Sequence, residues 1–214
     1  MTESRYSEES IKFRPAQPTD ASIAGRLLLA TFPKKAAFII GLGSEKRAQE
    51  ILTRLFQITN HRLSYTLSEM AIIDEKVVGI SIAFPGRMMG KLNRKLYGLI
   101  LRQYPFNRKI ALIRRALPLL FIKETVRDEL FLSNLAVMKR VRGLGIGKTI
   151  LASVESRAKR LSFTHVGLIC AIENRDARRF YEKHGYEIKA IHLESNQRVR
   201  YLGPGTQRMV KELE

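Results

Sequence analysis

The stretch L-A-V-M-K-R-V-R-G-L-G-I-G-K, Leu135 to Lys148, places three glycines on alternate positions between an apolar run and an amphipathic segment. The residues up to the first glycines predict a buried strand over 130–137, and those after them predict a helix near 146–160. Glycine adopts backbone angles denied to other residues and lets a ligand approach the main chain. Since the first turn of a helix has unpartnered N–H groups and a partial positive charge, the pattern predicts a phosphate or pyrophosphate site.

Two better-known phosphate loops are excluded by single residues of this stretch. A Walker A loop would need glycine where Arg142 stands, and a dinucleotide G-x-G-x-x-G fingerprint begun at Gly143 would need glycine where Lys148 stands. The pattern that fits is R-x-x-G-x-G, from Arg142 to Gly147. It resembles the pyrophosphate-binding motif of the GNAT superfamily of N-acetyltransferases, including the preceding strand that ends in L-A-V.

A second segment carries the same resemblance. Thirty-two residues after Arg142 comes Asn174, followed by R-D-A-R-R-F-Y-E-K-H-G-Y. The pattern N-x-x-A-x-x-F-Y-E-K-x-G-[FY] is similar to the second half of the acyl-CoA site in that family. The order of strand, glycine turn, helix, strand, Asn, helix and Tyr is reproduced, with a strand over His165–Ala171 and a helix from about Arg175 to Lys183. The likeness is close over residues 128–190 and holds in outline elsewhere.

The resemblance implies a fold and a cosubstrate. The expected fold is α/β in the α+β sense: a mixed, mostly antiparallel sheet splayed at the motif strand, flanked by helices, in one domain over residues 1–214. Acetyl-CoA would enter the splay, a primary amine would attack it directly in a ternary complex, and no metal would take part. The residues implied to bind the CoA ester are Leu135, Ala136, Val137, Arg142, Gly143, Leu144, Gly145, Ile146, Gly147, Lys148, Asn174, Ala177 and Tyr181.

Acetyl transfer to an amine defines which catalytic groups to expect. A lysine-like amine, with a pKa of about 10.4, is almost wholly protonated at neutral pH and must lose a proton before it attacks. Charge then collects on the thioester oxygen, which a backbone N–H around Leu135 to Val137 can stabilise. The resemblance implies that Tyr181 acts as general acid to the CoA thiolate, and that Asn174 bonds the pantetheine arm while also capping its helix.

The general base is less well defined by the sequence. Many members of the family place a glutamate on the motif strand, but this strand reads Leu132-Ser133-Asn134-Leu135, with Glu129 only at its start. Glu69, on an earlier predicted strand, is the candidate base, acting directly or through a water molecule. Ser133 or Asn134 could hold such a water.

Composition is that of one enzyme-sized domain. The chain has 214 residues, of which 45% are hydrophobic, and contains no apolar stretch that approaches the roughly 20 residues of a membrane-spanning helix. The first twenty residues include four acids and predict no secretory signal, so the expected location is cytoplasmic. Cys170 is the only cysteine, which excludes an intramolecular disulfide and predicts a buried core residue.

The segment between Phe84 and the motif strand is unusually long and basic. Residues 87–123 contain ten Lys and Arg and no acid, against a net charge of +18 for the whole chain. Apolar residues at helical spacing predict two basic amphipathic helices broken around Tyr104-Pro105. The spaced residues are Leu92, Leu96 and Leu99 in the first helix and Ile110, Ile113 and Leu117 in the second.

This basic insertion has three interpretations. Its apolar residues could pack on the domain beneath a solvated basic face. It could instead wall the acceptor groove and favour an acidic or phosphorylated acceptor, or assist the CoA phosphates. Lastly, it could lie on an anionic membrane surface or bind nucleic acid through phosphates, although the segment carries few aromatics and no base-reading motif, so no specific nucleic acid is expected.

The remaining chain predicts elements of the same fold. These further elements are a strand at Lys12-Phe13-Arg14, helices from Thr19 or Asp20 to about Thr31 and from Glu45 to Ile58, strands over Tyr65 to Ile73 and Val77 to Phe84, and a closing strand from Gln207 to Leu213.

The acceptor is expected to be a small-molecule or peptide amine, and the protein is expected to be a monomer or homodimer. The alternative functions are a non-catalytic CoA-binding regulatory module, or a GNAT scaffold that binds anionic membrane or nucleic acid through the insertion.

Overall fold

A single mixed sheet of seven strands organises the molecule, in a computed structural model that describes residues 11–117 and 122–213. The strand order is β1-β2-β3-β4-β5-β7-β6, and every neighbouring pair is antiparallel except β4 and β5. The strands are β1 Lys12–Pro15, β2 Ser68–Ile73, β3 Lys76–Pro85, β4 Leu130–Val137, β5 His165–Ala171, β6 Glu187–Leu193 and β7 Gly205–Glu212.

Helices cover both faces of this sheet. The helices are α1 Ala21–Thr31, α2 Pro33–Lys35, α3 Glu45–Phe56, α4 Met89–Arg102, α5 Phe106–Ala116, α6 Ile146–Arg160, α7 Arg175–Lys183 and α8 Asn196–Leu202. Leu28 of α1 and Leu52 of α3 are fully buried in a cluster with Ile80 and Ile82 of β3. The opposite face carries α6, whose Ile150 lies so close to Gly79 that a Cβ there would come within 2.6 Å of its side chain.

The sheet is open between β4 and β5. These two strands pair in parallel over three residues each, Leu130–Leu132 with Val166–Leu168, and have no register beyond them. The pairing of β4 with β3 is irregular at the same level, because Ile82 pairs with Asn134 and Ala83 with Leu132, which leaves Ser133 as a bulge. The second half of β4 therefore has a partner strand on one side and a gap on the other, which confirms the predicted splay.

The predicted elements are confirmed, including the two helices of the basic insertion. The insertion's α4 and α5 are separated by a break around Gln103–Pro105, while residues 118–121 of the insertion lie outside the described part of the chain. Three elements were not predicted, α2, β6 and α8. In β6, Ile188 is half-buried and the other six residues are exposed, so burial leaves no alternating pattern in its sequence. None of the helices within residues 11–117 and 122–213 is long and apolar enough to cross a membrane.

Candidate active site

The glycine turn joins β4 to α6 in the conformation that its sequence predicts, with one difference. Gly143 and Gly145 have φ values of 82° and 78°, in the left-handed region that favours glycine. Gly147, in the first turn of α6, does not have a positive φ, so the prediction of unusual angles is correct for two of the three glycines. At Gly147 a Cβ would lie 3.5 Å from the ring of Phe180, so this glycine leaves room for α7 instead.

The turn presents unpartnered backbone donors. Across the described residues, no N–H of residues 143–147 finds an acceptor, whereas the N–H of Thr149 donates to the carbonyl of Gly145 at 3.2 Å. No atom lies within 4 Å of a Cβ built at Gly143 or Gly145, so the space in front of the turn is open. Arg142 folds back and donates from Nε to the carbonyl of Val137 at 3.2 Å. An anion can therefore lie on this turn, in the positive field at the start of the 15-residue α6.

Asn174 caps α7, as its sequence position predicts. Its Oδ1 accepts a hydrogen bond from the N–H of Ala177 at 3.1 Å. Within residues 11–117 and 122–213 the side-chain amide of Asn174 donates to no other group, so its NH2 remains available to a ligand.

Tyr181 lies in the interior, on the buried face of α7. Its ring contacts the rings of Phe180 and Tyr186, with centroid distances of 5.2 and 5.7 Å. Burial, with the neighbouring Cys170, raises the pKa of Tyr181 well above its usual value, so the phenol keeps its proton. Cys170 stands on β5 beyond the last residue paired with β4, which places Tyr181 beside the gap in the sheet.

Cys170 is buried, as expected of a core residue, with 4% of its surface exposed. Burial raises the pKa of the Cys170 thiol, so at neutral pH it is not a thiolate nucleophile.

Polar residues at the bulge of β4 lie on the face of the sheet that α1 covers. Ser133 donates from Oγ to Asn134 Oδ1 at 2.8 Å, and Asn134 donates from Nδ2 to Thr31 Oγ1, also at 2.8 Å. Asn134 is 6% exposed. The bulge is thereby tied to the C-terminal end of α1, and its polar groups are fixed in orientation.

Arg62 extends this network to a carboxylate that the sequence did not single out. Its Nη2 donates to Ser133 Oγ at 3.2 Å, and its Nη1 donates to Glu124 Oε2 at 2.5 Å. Burial favours the neutral form of Glu124, but Arg62 and Lys35 outweigh it and hold the pKa of that carboxyl below its ordinary value. The one signal in the sequence is that Glu124 is the first acid after the acid-free insertion.

Lys35 completes the charged cluster on this face. Burial lowers the pKa of its ammonium, and the charges that act on it are those of Glu124, Arg62, Glu194 and Arg198. Glu194 is itself paired with Arg198 at 3.6 Å. No hydrogen bond ties Lys35 to any residue that the structure describes, so among the three cations it is the one without a direct carboxylate partner.

The structure places the other two acids of interest away from this cluster. Glu69, the candidate base, accepts from Ser153 of α6 at 2.8 Å, so it lies on the opposite face of the sheet from Asn134. Its catalytic role stays a prediction. Glu129, at 1% exposure, accepts from Arg208 of β7, from the Thr125 hydroxyl at 2.5 Å and from a backbone N–H, which makes it a structural link between β4 and β7.

A cavity of about 720 Å³ adjoins the charged cluster, between α4 and the connection that leads into β4. It shares Asn93, Tyr97 and Glu124 with the surroundings of Arg62, whose Nη1 lies 3.4 Å from Asn93 Oδ1. Cations contributed by the insertion, Arg94 and Lys123, also line it. The part of the chain that the structure describes contains no group of three or more His, Cys, Asp or Glu that could hold a metal ion.

Comparison with known proteins gives a family and a fold. The family model described as the acetyltransferase (GNAT) family matches residues 36–186. A crystal structure of an acetyltransferase superposes with a TM-score of 0.68 at 21% identity, covering 95% of this chain and all of the other. An N-acetyltransferase from Staphylococcus aureus Mu50 superposes with a TM-score of 0.70 at 18% identity, covering 93% and 99% of the two chains. No curated protein matches the sequence.

Proposed function

The chain belongs to the acetyltransferase (GNAT) family and is an acyltransferase, and from that premise we propose that it transfers an acetyl group from acetyl-CoA to a primary amine by direct attack. The observation that carries this proposal is the gap between β4 and β5, which is bordered by the open glycine turn on one side and by Tyr181 on the other. In a CoA ester the pyrophosphate matches the glycine turn, the amide-containing arm matches the gap, and the thioester matches the side where Tyr181 lies.

The donor would be bound mainly by backbone. The pantetheine arm lies along the unpaired edge of Leu135–Val137 as an added strand, while the pyrophosphate takes the free N–H groups of residues 143–147. Arg142 and Lys148, both exposed beside the turn, supply positive charge to the phosphates. The free amide NH2 of Asn174 donates to a carbonyl of the arm.

Chemistry follows from this placement. The amine nitrogen attacks the thioester carbon, negative charge gathers on the oxygen beside a backbone N–H of Leu135–Val137, and the C–S bond then breaks. The sulfur leaves as a thiolate whose ordinary pKa, about 8.5, is below that of the Tyr181 phenol. Tyr181 therefore stabilises the thiolate by donating a hydrogen bond while keeping its own proton, and the thiolate is protonated afterwards.

The amine would approach from the α1 side, beside the bulge of β4. Glu124 remains ionised there, close to Arg62 and Ser133, and its carboxylate attracts the ammonium form of the acceptor and receives its proton through water. Glu69 is the rival base. It lies behind the sheet, engaged with Ser153, so Glu124 is the better placed of the two to meet an amine that enters from this face.

Lys35 favours an acceptor that carries an anionic group near its amine. The cluster of Lys35, Arg62 and Arg198 with Glu124 and Glu194 has one more cation than carboxylates, and Lys35 is the cation without a direct partner. A carboxylate or phosphate on the acceptor would pair with Lys35 while the amine lies beside Glu124. Arg94 and Lys123 of the insertion, which line the adjoining cavity, would strengthen this preference if the insertion walls the acceptor groove.

The proposal is tested by following CoA release from acetyl-CoA with a panel of primary amines, alongside direct titration of CoA binding. We expect saturable turnover with at least one amine and acetylated product detected by mass spectrometry. Tight CoA binding without turnover on any amine would favour the regulatory module instead.

A matched pair of substitutions distinguishes the roles of the two candidate bases, Glu124 and Glu69. Glu124→Gln should lower kcat/KM for the amine by roughly a hundredfold, because the general base and the attraction for the ammonium are both lost. Glu69→Gln should change it less than threefold or so, since its hydrogen bond to Ser153 survives in the amide. The reverse order would assign the base to Glu69.

The acceptor class is tested with two amines that differ in charge at the far end, 4-aminobutanoate and butylamine. We expect Lys35→Gln to raise KM for 4-aminobutanoate roughly tenfold and to leave KM for butylamine nearly unchanged. Lys34→Gln is the control, because Lys34 is exposed and pairs with Glu173 at 2.6 Å. Equal effects on both amines would contradict an anion site at Lys35 while leaving the acetyl transfer intact.

A further inference from the structure

Helix α5 has an apolar side that no described residue covers. Three apolar residues of α5, together with Leu117 directly after its last residue, are exposed at spacings of four, three and four, and with 3.6 residues per turn they fall within an arc of about 60°. We call this set the apolar stripe: Phe106 at 80% exposure, Ile110 at 57%, Ile113 at 48% and Leu117 at 49%. Leu112, at 3%, points to the core from another side of the helix, so the stripe is not needed to hold α5 in place.

Cations surround the apolar stripe. Lys109 and Arg114 flank it on its two sides in the helical projection, and residues 87–117 contain no acid. None of the Lys or Arg side chains of 87–117 forms a salt bridge with another described residue. The exposed ones are Arg87, Lys91, Arg94, Lys95, Arg102, Arg108 and Arg114.

The positive charge around the apolar stripe limits which partners the stripe can bind. A second copy of the chain would bring the same cations against each other, which repels. Nucleic acid would satisfy the cations but gains nothing from an aliphatic stripe, since sequence-independent binding uses phosphate contacts and aromatic stacking. An anionic bilayer surface satisfies both features, because its headgroups neutralise Lys and Arg while its acyl boundary accepts apolar side chains.

We propose that the apolar stripe of α5 and its flanking cations dock the protein on an anionic phospholipid surface. The helix would lie in the plane of the interface with Phe106 and Ile110 entering the acyl boundary and Arg114 and Lys109 among the phosphates. Arg198 of the charged cluster donates to the carbonyl of Arg115 in α5 at 3.0 Å, but no residue of the stripe and neither flanking cation belongs to the cluster or to the glycine turn, so the proposal does not depend on the acyl transfer.

Flotation of the purified full-length protein with vesicles tests the proposal. We compare vesicles of equal parts phosphatidylglycerol and phosphatidylcholine with vesicles of phosphatidylcholine alone, and expect binding to the anionic vesicles that weakens as salt rises. Ile110→Ser and Phe106→Ser should each lower the partition coefficient roughly tenfold, because each removes a large apolar side chain from the acyl boundary. The double variant Lys109→Gln with Arg114→Gln should lower it by a similar factor of roughly ten.

The C-terminal end of α6 offers a matched control. Leu161 is 54% exposed and follows the exposed Lys159 and Arg160, so Leu161→Ser and the double variant Lys159→Gln with Arg160→Gln change the same chemistry elsewhere. These should float as the unchanged protein does. Circular dichroism and CoA titration establish that each variant is folded.

Three results would overturn the proposal. The first is no flotation with anionic vesicles at low salt, and the second is equal loss in the α6 controls. The third is a stripe that serves another occupant: dimers in sedimentation velocity that dissociate in Ile110→Ser, or binding of duplex DNA or RNA that depends on Ile110 while vesicle binding does not.

Discussion

Tyr181 combines two properties that are hard to obtain together, since its phenol is buried and also borders an opening in the sheet. A buried hydroxyl that stays neutral can donate to a developing anion without losing its own proton. Within the described residues Tyr181 has no hydrogen-bond acceptor, so a thiolate in the gap would be its first strong partner. The same residue would be an inert core tyrosine if the gap were closed.

Removing this hydroxyl should affect the chemical step and little else. We expect Tyr181→Phe to lower kcat ten- to a hundredfold or so, the worth of one hydrogen bond to a charged group, with little change in KM for acetyl-CoA. Tyr186→Phe is the control, because Tyr186 is also buried and its ring contacts that of Tyr181. A Tyr181→Phe enzyme with unchanged kcat in pre-steady-state measurement of the chemical step would exclude the role.

Arg62 should set the lower pH limit of the proposed reaction. It and Lys35 hold the pKa of Glu124 below its ordinary value, so Glu124 stays ionised across the neutral range, and the fall in kcat/KM where Glu124 gains a proton should lie on the acid side of that range. Arg62→Met removes one cation while burial remains, so the pKa of Glu124 should rise and the acid limb of the profile should move to higher pH. Arg54→Met, at an exposed site on α3, should not move it, and an unshifted limb in Arg62→Met would show that Glu124 does not govern the profile.

Local sequence predicts the donor side of the proposed site and does not predict its acceptor side. Arg142 to Gly147 and Asn174 to Tyr181 are each contiguous, so turn chemistry and helix capping identify them. The network of Arg62, Glu124 and Ser133 joins residues 62 and 71 positions apart, each unremarkable in its own stretch. No periodicity or turn pattern links such residues, because only the sheet and the insertion bring them together.

At the scale of elements, the turn before α6 depends on two left-handed glycines. Gly145→Ala should destabilise the protein by about 1–2 kcal/mol, because its φ of 78° disfavours any side chain, and should weaken CoA binding roughly tenfold or more. Gly98→Ala is the matched control: it lies in the middle of α4 with no atom within 4 Å of the new Cβ and without a positive φ, so stability should rise by about 0.5–1 kcal/mol. Chemical denaturation and CoA titration measure both.

An outcome in which Gly145→Ala binds CoA normally would contradict the assignment of the pyrophosphate to this turn. Destabilisation alone does not explain a loss of binding, because titration below the unfolding transition reports on the folded protein. Gly98→Ala shows how a glycine-to-alanine substitution away from the turn affects stability and CoA binding.

Elements with a buried face were predictable and elements without one were not. β3 is buried continuously on both faces, β4 is buried at alternate positions in its second half and α6 has a core-facing side, so each leaves an apolar run or a period in the sequence. β6 is an edge strand that pairs with β7 alone and exposes six of its seven residues. Its existence follows from backbone pairing with a neighbour, which hydrophobic patterning does not record.

At the scale of the whole molecule, the sheet separates two kinds of chemistry. One face carries the charged cluster with Arg62, Glu124 and Lys35, and the other carries α6, where Ser153 donates a hydrogen bond to Glu69. The gap between β4 and β5 connects the two faces. A ligand in the gap would join halves of the sheet that otherwise share three pairs of residues.

Acetyl-CoA should therefore stabilise the entire fold as well as occupy a site. At a free concentration about 100 times its Kd, a ligand that binds only the folded state adds about 2.7 kcal/mol, which for a chain of this size raises Tm by roughly 5–10 °C. Differential scanning fluorimetry across acetyl-CoA concentrations measures the shift, and Gly145→Ala at equal concentrations should show a smaller one. Binding at the gap should also slow amide exchange in β4 and β5 together, because the bridged strands open as a unit. A Tm that does not change with acetyl-CoA concentration, in a protein otherwise well folded, would mean that the gap does not receive the donor.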